Sequence, residues 1–446
     1  MKPVGLSLIF ASLLPPLYLL TQFGGEQSFS VLISQYAGMV SLISMALVQV
    51  MATRVRGVEA LFGPLDQVYV LHKWLAVLAI VAAFLHDTIE AEPTLRDAAG
   101  AFIRGEDEGI AGELGEIGFY GILILGLGSL ATFIPYNIWR WTHRLIGVFF
   151  ALAAVHFLLI NNFFSWSDPL GLYVSVFCFA GVSSFVYLTY KGITGRTKAY
   201  EVETVEVYGR VTTVSLKPGG KPISYKAGQF AYVSFEQDGL RETHPYTIAS
   251  APQENGSIRF CISALGDYTS RIHELKAGAK AQLSRGYGGF KPFAQNQDQI
   301  WIAGGVGITP FLAWAQALSL EATGQIYLYY GVRNRLENPL EEELEALQKR
   351  LPNLHVQYFE SDMGEYIDAR LLKILQGTCF DMMPIAFCGP EMMRMNLTTG
   401  LKKLNYPMRK FHYEEFEMRS DIGFGWLIKF LIRRLFKHTG KLVPVK

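Results

Sequence analysis

Six apolar stretches dominate the first 190 residues, at 4–21, 31–52, 67–88, 116–134, 142–161 and 169–190. Each is long enough as a helix to cross ~30 Å of hydrocarbon. Backbone polar groups cannot stay unpaired in lipid, so this part of the chain is restricted to a bundle of spanning helices. No comparable stretch follows. From Lys198 onward, strand-like runs, turn residues and balanced charge alternate, which predicts a soluble half of similar size. Half of the 446 residues are hydrophobic and only 18% are charged, too apolar for an ordinary soluble chain and too long for one domain. Lys2 precedes the first run, but Pro15-Pro16 and the following TQFGGEQ offer no small-residue cleavage site. The run is therefore read as a span, open to a kink, and not as a signal peptide.

Loop charge sets the expected orientation, because short Lys- and Arg-rich loops stay in the cytoplasm. Arg54 and Arg56 lie between spans two and three, Arg140 and Arg144 between four and five, and Lys191, Arg196 and Lys198 after six. The opposite loops read GGEQS, an acidic segment from Asp87 to Glu116, and NNFFSWSDP. Six spans with both termini cytoplasmic follow. The net charge of +1 gives no basis for a nucleic-acid partner. Cys178, Cys261, Cys379 and Cys388 are scattered without CxxC or CxxCH spacing, so neither a disulfide, a zinc site nor covalent haem attachment is indicated.

Four of the nine histidines sit in two spans, where an ionisable ring is costly and marks a functional site by default. His72 and His86 bracket LHKWLAVLAIVAAFLH; fourteen residues separate them by about 21 Å of rise and only about 40° around the axis. His143 and His156 repeat the arrangement in HRLIGVFFALAAVH at a spacing of thirteen, which misses a common face by roughly 140°. A bulge, a kink or different approach angles must make up that difference. Spans three and five run in the same direction, placing His72 level with His143 on the inner side and His86 level with His156 on the outer side. Two stacked imidazole pairs with no thiol or carboxylate cluster beside them suit two haem b groups, each with both axial positions filled. Unrelated interhelical hydrogen bonds and a metal-ion transporter are the alternatives; the pairs lie too far apart for one ion site.

In the soluble half, AYEVETVEVYGRVTTVSLKP, QFAYVSF, YTIASA and SIRFCISA predict a small antiparallel barrel. DQIWIAGGVGITPFLAWAQAL then reads as a buried strand, a glycine turn and a helix, followed by QIYLYYGV, LEEELEALQKR, LHVQYF and MPIAFCGP. That alternation predicts a parallel sheet wound on both sides. Gly304, Gly305 and Gly307 lie where backbone N–H groups can approach a pyrophosphate at a helix N-terminus. Arg333, at the end of the second strand, is placed to pair with the 2′-phosphate of NADPH; a solvated surface arginine is the alternative.

AGQF (Ala227 to Phe230), HPYTIAS (His244 to Ser250), GGVGITP (Gly304 to Pro310) and CGP (Cys388 to Pro390) occur in that order, and the segment resembles the ferredoxin-NADP reductase superfamily. Joined to six spans with paired histidines on the third and fifth, residues 30–418 resemble the ferric reductase and NADPH oxidase (NOX) family. The likeness is closest to compact prokaryotic NADPH oxidases and bacterial ferric reductase-like transmembrane proteins. It implies that FAD meets Gln229, Phe230, His244, Pro245, Tyr246 and Thr247, with Thr247 bonding near the reactive ring, and Thr269 and Ser270 in GDYTSRI at its pyrophosphate. It implies that NADPH is cradled by the glycine turn with Thr309 and Pro310, and that Cys388, Gly389 and Pro390 lie near the nicotinamide. Phe416 in FHYEEFEMR matches the aromatic that covers the flavin until nicotinamide displaces it.

The chain departs from the family pattern beyond Phe416, where WLIKFLIRRLFKHTGK predicts a basic amphipathic helix on the anionic inner leaflet or docked on the protein. The expected division is a six-span haem domain at 1–198, an FAD barrel at 199–296, an NAD(P)H-binding α/β domain at 297–419 and the extension at 420–446. The expected function is transmembrane electron transfer from NADPH through FAD and two haems, with Thr247, Cys388 and Phe416 at the reacting centre. The acceptor is a small molecule outside: oxygen giving superoxide, or a ferric complex, a quinone or partner protein being the further alternatives. No obligatory protein partner is evident. The expected location is the plasma membrane, in a bacterium the inner membrane.

Overall fold

The computed structural model describes residues 2–414, apart from Gly24, Glu90, Glu92, 97–101, 104–108, 131–135, 195–196, 336–337 and 339. The chain divides into two compact units, with the break after Thr194. Phe416 and the basic extension lie outside the described residues.

The first unit contains α1 (Pro3–Phe23), α2 (Phe29–Ala52), α3 (Arg56–Phe62), α4 (Leu65–Thr88), α5 (Gly109–Leu130), α6 (Tyr136–Leu159) and α7 (Pro169–Thr194), with a two-strand ladder, β1 (Leu95–Arg96) and β2 (Phe102–Ile103), between α4 and α5. All but the short α3 are long and apolar enough to span a membrane. Five of the six expected spans agree to within a few residues. The fourth runs Gly109–Ser129 among the described residues, against the expected 116–134; it starts earlier because the helix includes Glu113, which a search for apolar runs excludes.

Proline in the middle of α1 creates a specific problem and the bundle answers it. Pro15 and Pro16 have no N–H to offer the preceding turn, so carbonyls there lose their helical donors. The Ser12 carbonyl, which Pro16 leaves without its helical donor, accepts from the Tyr173 hydroxyl of α7 at 3.0 Å, and the adjacent Leu13 carbonyl, whose helical donor Leu17 is intact, also accepts from Tyr36 of α2 at 3.1 Å. A neighbouring helix thereby re-satisfies a backbone group that lipid cannot. The helix passes through both prolines.

Around it, α2 packs along α4 and α7, and α5 packs along α6. Gly118 and Gly121 allow that second approach: a Cβ at Gly118 would lie 3.0 Å from the Phe149 carbonyl, and one at Gly121 would overlap the Phe149 ring. The two histidine-bearing helices, α4 and α6, have no comparable backbone contact with each other.

The second unit opens with β3 (Lys198–Tyr208), β4 (Val211–Pro218), β5 (Phe230–Phe235), β6 (His244–Thr247), β7 (Ile258–Ser263) and β8 (Lys280–Leu283). They pair antiparallel in the order β6-β5-β8-β3-β4-β7, and a bridge between Ile248 and Phe260 joins the two edges into a barrel. Then come β9 (Gln299–Gly304), α8 (Thr309–Ala317), β10 (Ile326–Val332), α9 (Glu341–Arg350), β11 (Leu354–Glu360), α10 (Ala369–Gln376), β12 (Ile385–Cys388), α11 (Glu391–Lys403) and β13 (Phe411–Glu414). These strands are all parallel, in the order β11-β10-β9-β12-β13. Every residue of β9 is buried, as expected for a strand covered on both faces. Six spanning helices followed by a ferredoxin-reductase-like barrel and nucleotide sheet is the expected fold class.

A hydrogen bond between spanning helices is worth about 0.6–2 kcal/mol. Tyr173→Phe, which strands the Ser12 carbonyl, is expected to lower the thermal unfolding midpoint of the detergent-solubilised protein. An unchanged midpoint contradicts the role given to this bond.

Candidate functional site

His72 and His86 project from α4, His143 and His156 from α6, and all four are half-buried. Each ring is tied to the helix on which its own helix packs. On α2, the His72 ring donates to the Val48 carbonyl, and His86 Nδ1 lies 2.9 Å from the Ser34 carbonyl and 3.0 Å from its Oγ. On α5, His156 Nδ1 lies 2.7 Å from the Ala111 carbonyl and His143 Nδ1 2.9 Å from Ser129 Oγ. These ties determine tautomers. A carbonyl only accepts, so Nδ1 of His86 and His156 carries the proton. The Ser129 hydroxyl donates to the Leu125 carbonyl at 2.7 Å, so it too accepts from Nδ1–H. In all three rings the lone pair is left on Nε2, the arrangement that orients a metal-ligating imidazole.

The His72 and His143 ring centres lie 6.3 Å apart, tilted by 50°, and Trp139 stacks on His143 at 5.0 Å. An imidazole–metal bond of about 2 Å, with about 1.1 Å more from nitrogen to ring centre on each side, would put two imidazoles that share one metal roughly 6.2 Å apart. The inner pair therefore fits a six-coordinate haem iron. At the other depth, a Cβ on Gly38 would meet the His86 ring at 3.2 Å and one on Gly115 the His156 ring at 2.6 Å, so glycines make room for both rings. The spacing of thirteen in α6 needs no bulge, since the helix is regular from Tyr136 to Leu159. A side-chain hydroxyl approaches one ring and a backbone carbonyl the other. Among the described residues no three His, Cys, Asp or Glu side chains converge as an ion site.

In the barrel, β5 and β6 set Phe230 beside Thr247 and Tyr232 beside Pro245. The Tyr246 hydroxyl and Thr247 Oγ1 are buried without a hydrogen-bond partner. Leaving a hydroxyl so placed unpaired costs about 1–3 kcal/mol, so both atoms fit a ligand that supplies the missing partners, as a flavin does. Burial, with smaller contributions from Tyr268 and Glu242, pushes the Tyr246 phenol above its usual pKa and keeps it a donor. The His244 ring lies 4.0 Å from that of Tyr268, with Nε2 3.1 Å from a Glu242 carboxylate oxygen. Phe230, Tyr232 and Tyr287 form an aromatic cluster with centres 5.6 to 6.0 Å apart. Gln229 is committed to the fold, accepting from the Lys226 amide and donating to the Gly288 carbonyl. Thr269 Oγ1 accepts from the amides of Leu265 and Gly266, so its side chain builds the turn, while Ser270 is exposed.

In the nucleotide sheet, two tight turns interlock where the strand order reverses between β9 and β12. A Cβ on Gly307 would lie 2.2 Å from the Cys388 carbonyl oxygen, and one on Gly304 2.7 Å from Pro390. A Cβ on Gly389 would lie 3.0 Å from the Gly304 nitrogen. Gly305 takes a φ of +54° with open space beside it. Thr309 Oγ1 donates to the Val306 carbonyl at 3.0 Å, and Pro310 occupies the first turn of α8. This is the switch point at which doubly wound sheets bind dinucleotides. Arg333 lies at the carboxyl end of β10, where Asp362 meets it at 3.4 Å.

Cys388 is fully buried, and burial followed by the charge of Glu414 raises its thiol pKa well above the ordinary value. It is a protonated thiol. Sequence reasoning missed Glu414, a carboxylate only 6% exposed, whose Oε1 would lie 3.5 Å from a Cβ on Gly288. Its position two residues before Phe416 was the available signal. Also missed was a polar clamp between barrel and nucleotide sheet. Glu343 of α9 pairs with Arg259 of β7 at 2.7 Å and accepts from Gln316 of α8 at 2.6 Å, while Gln316 accepts from the Ala251 amide at 2.7 Å.

The chain matches the family models for a ferric reductase like transmembrane component over residues 37–154, an FAD-binding domain over 196–303 and an oxidoreductase NAD-binding domain over 301–397. It is 33% identical over 141 residues to the Ralstonia sp ferredoxin–NAD(P)(+) reductase component of naphthalene 1,2-dioxygenase/salicylate 5-hydroxylase systems, covering 30% of this chain and 42% of that protein. Dual oxidase 2 of Homo sapiens is 22% identical over 362 residues, 69% of this chain and 22% of that one. Dual oxidase 2 of Rattus norvegicus is 24% identical over 289 residues, 56% and 18% respectively. The chain thus spans less than half the length of these relatives.

A net hydrogen bond contributes about 0.5–1.5 kcal/mol. Thr247→Val is accordingly expected to weaken FAD binding roughly two- to tenfold in a fluorescence titration without lowering the melting point of the flavin-free protein. A lower melting point with unchanged FAD affinity would instead make the hydroxyl structural.

Proposed function

We propose, from the premise that this chain belongs to the ferric reductase and NADPH oxidase (NOX) family, that it carries electrons from cytoplasmic NAD(P)H across a membrane to an acceptor on the outer face. The observation that supports this most directly is the ladder of four anchored imidazoles, two on α4 and two on α6, with the inner pair at 6.3 Å. We assign His72 and His143 to an inner haem b and His86 and His156 to an outer one. We keep the division at residues 198, 296 and 419, and both termini on the cytoplasmic side of a plasma membrane, in a bacterium the inner one.

Each part of the soluble unit has a role in that reading. The glycine turn offers backbone N–H groups to the dinucleotide pyrophosphate, and Gly389 and Pro390 bound the nicotinamide site. Cys388, held as a thiol, adds no charge beside it. Tyr246 and Thr247 donate to the flavin, and Phe416 covers it until nicotinamide arrives. Flavin converts a hydride into single electrons and haem carries them one at a time. His72, His143, His86 and His156 would hold haem iron, and with two imidazoles to each iron the chemistry supplied would be outer-sphere electron transfer.

Oxygen, giving superoxide, is the acceptor we favour, because outer-sphere transfer needs only access to the outer haem edge. A ferric complex is the second reading, supported by Asp87 beside His86 and the acidic segment that follows. Transfer to a quinone or partner protein instead predicts little turnover of either substrate by the pure chain. NADPH oxidation with added FAD, scored in parallel for superoxide and ferrous iron, separates them. Dismutase is expected to abolish the reporter signal; dismutase-insensitive iron reduction would transfer the assignment to a ferric reductase. His86→Leu or His156→Leu is expected to reduce the pyridine-haemochrome ratio from two haems per chain to one, and an unchanged ratio would refute the ligand assignment.

A further inference from the structure

Two arginines leave the carboxyl end of β10. The strand is in parallel register with its neighbours, Gly331 beside Gly304 of the glycine turn and Val332 beside Glu360 of β11. Arg333 and Arg335 therefore emerge one strand away from the turn, on the edge where doubly wound sheets take their ligands. Arg335 is occupied. It is paired with Glu341, lies 3.6 Å from Glu345, stacks over Tyr358 at 4.5 Å, and its amide donates to Glu360 at 2.9 Å. Arg333 is 72% exposed and meets Asp362, itself 49% exposed, at 3.4 Å. The backbone enforces that meeting, since the Asp362 amide donates to the Arg333 carbonyl at 3.2 Å. Residue 362 is thus held beside residue 333 by the main chain, within reach of the guanidinium.

We propose that Asp362 is the coenzyme-specificity residue: it offsets the charge of Arg333 and accepts from a ribose 2′-hydroxyl, so that this corner takes NADH and NADPH with little preference. The inference rests on the dinucleotide reading of the glycine turn and changes its expected selectivity. A 2′-phosphate carries close to two negative charges and gains a charge-assisted fork from a lone arginine, but an adjacent carboxylate repels it. An unmodified ribose is neutral, and a carboxylate at this edge of the sheet is the group that bonds its hydroxyls. Glu360 and Glu365, joined through the Glu360 amide at 3.0 Å, add to the negative field at the same strand end.

The test measures binding of adenosine 2′,5′-bisphosphate and of 5′-AMP to the purified full-length chain by calorimetry. For the wild type, the two dissociation constants are expected within about tenfold of each other. Asp362→Asn should tighten the bisphosphate by about five- to tenfold, the scale of an exposed carboxylate acting on a doubly charged phosphate, and leave 5′-AMP unchanged or weaker. Arg333→Ala should weaken the bisphosphate alone. Equal shifts for both nucleotides in Asp362→Asn, or a wild type that already selects the bisphosphate strongly, would overturn the proposal. Binding of neither nucleotide to the wild type would refute the dinucleotide reading itself, and this inference with it.

Discussion

Hydrocarbon cannot hydrogen-bond, and the membrane unit depends on that constraint. An imidazole inside a span must place its N–H on another helix, and here the four rings do so in two sets: α4 onto α2, α6 onto α5. Helix pairing and ring orientation are therefore one requirement. The ties that satisfy the protons also turn the lone pairs of His86, His143 and His156 onto Nε2, and the two histidine helices lean on different neighbours. The same rule explains how α1 runs through Pro15 and Pro16: Tyr173 of α7 gives the Ser12 carbonyl the donor that Pro16 lacks.

The soluble unit uses the opposite device. It leaves selected groups unpaired where a ligand completes them. The Tyr246 and Thr247 hydroxyls are buried without partners on adjacent residues of the barrel, and Gly304, Gly307 and Gly389 bring two backbone turns closer than any side chain would permit. The Arg259–Glu343–Gln316 clamp and a core shared by Phe290, Trp301 and Trp314 join the barrel to the nucleotide sheet, so the flavin strands and the glycine turn are held by one framework. That suits hydride transfer, whose rate falls steeply with small misplacements.

Much of this was legible in the chain. Hydropathy located five spans, the His72–His86 interval pointed to one helix face, and GGVGITP with CGP located the nucleotide switch point. Hydropathy found the fourth span too but started it late, because Glu113 is helical without being apolar. The ring anchors were not legible. Three are main-chain carbonyls, of Val48, Ser34 and Ala111, that no residue type signals, and Ser129 looks like any helical serine. The clamp joins residues 84 positions apart and the Arg333–Asp362 pair residues 29 apart; only the sheet order brings either together. Glu414 was obscured by its neighbour Phe416, which drew attention as the family aromatic.

The central claim is that all four imidazoles are axial ligands, leaving no open iron position at either depth. Electron paramagnetic resonance of the oxidised, purified chain tests it directly. The account predicts two low-spin ferric haems of bis-imidazole type per chain and no high-spin component beyond trace. A stoichiometric high-spin signal, or a chain that retains no haem, would contradict it.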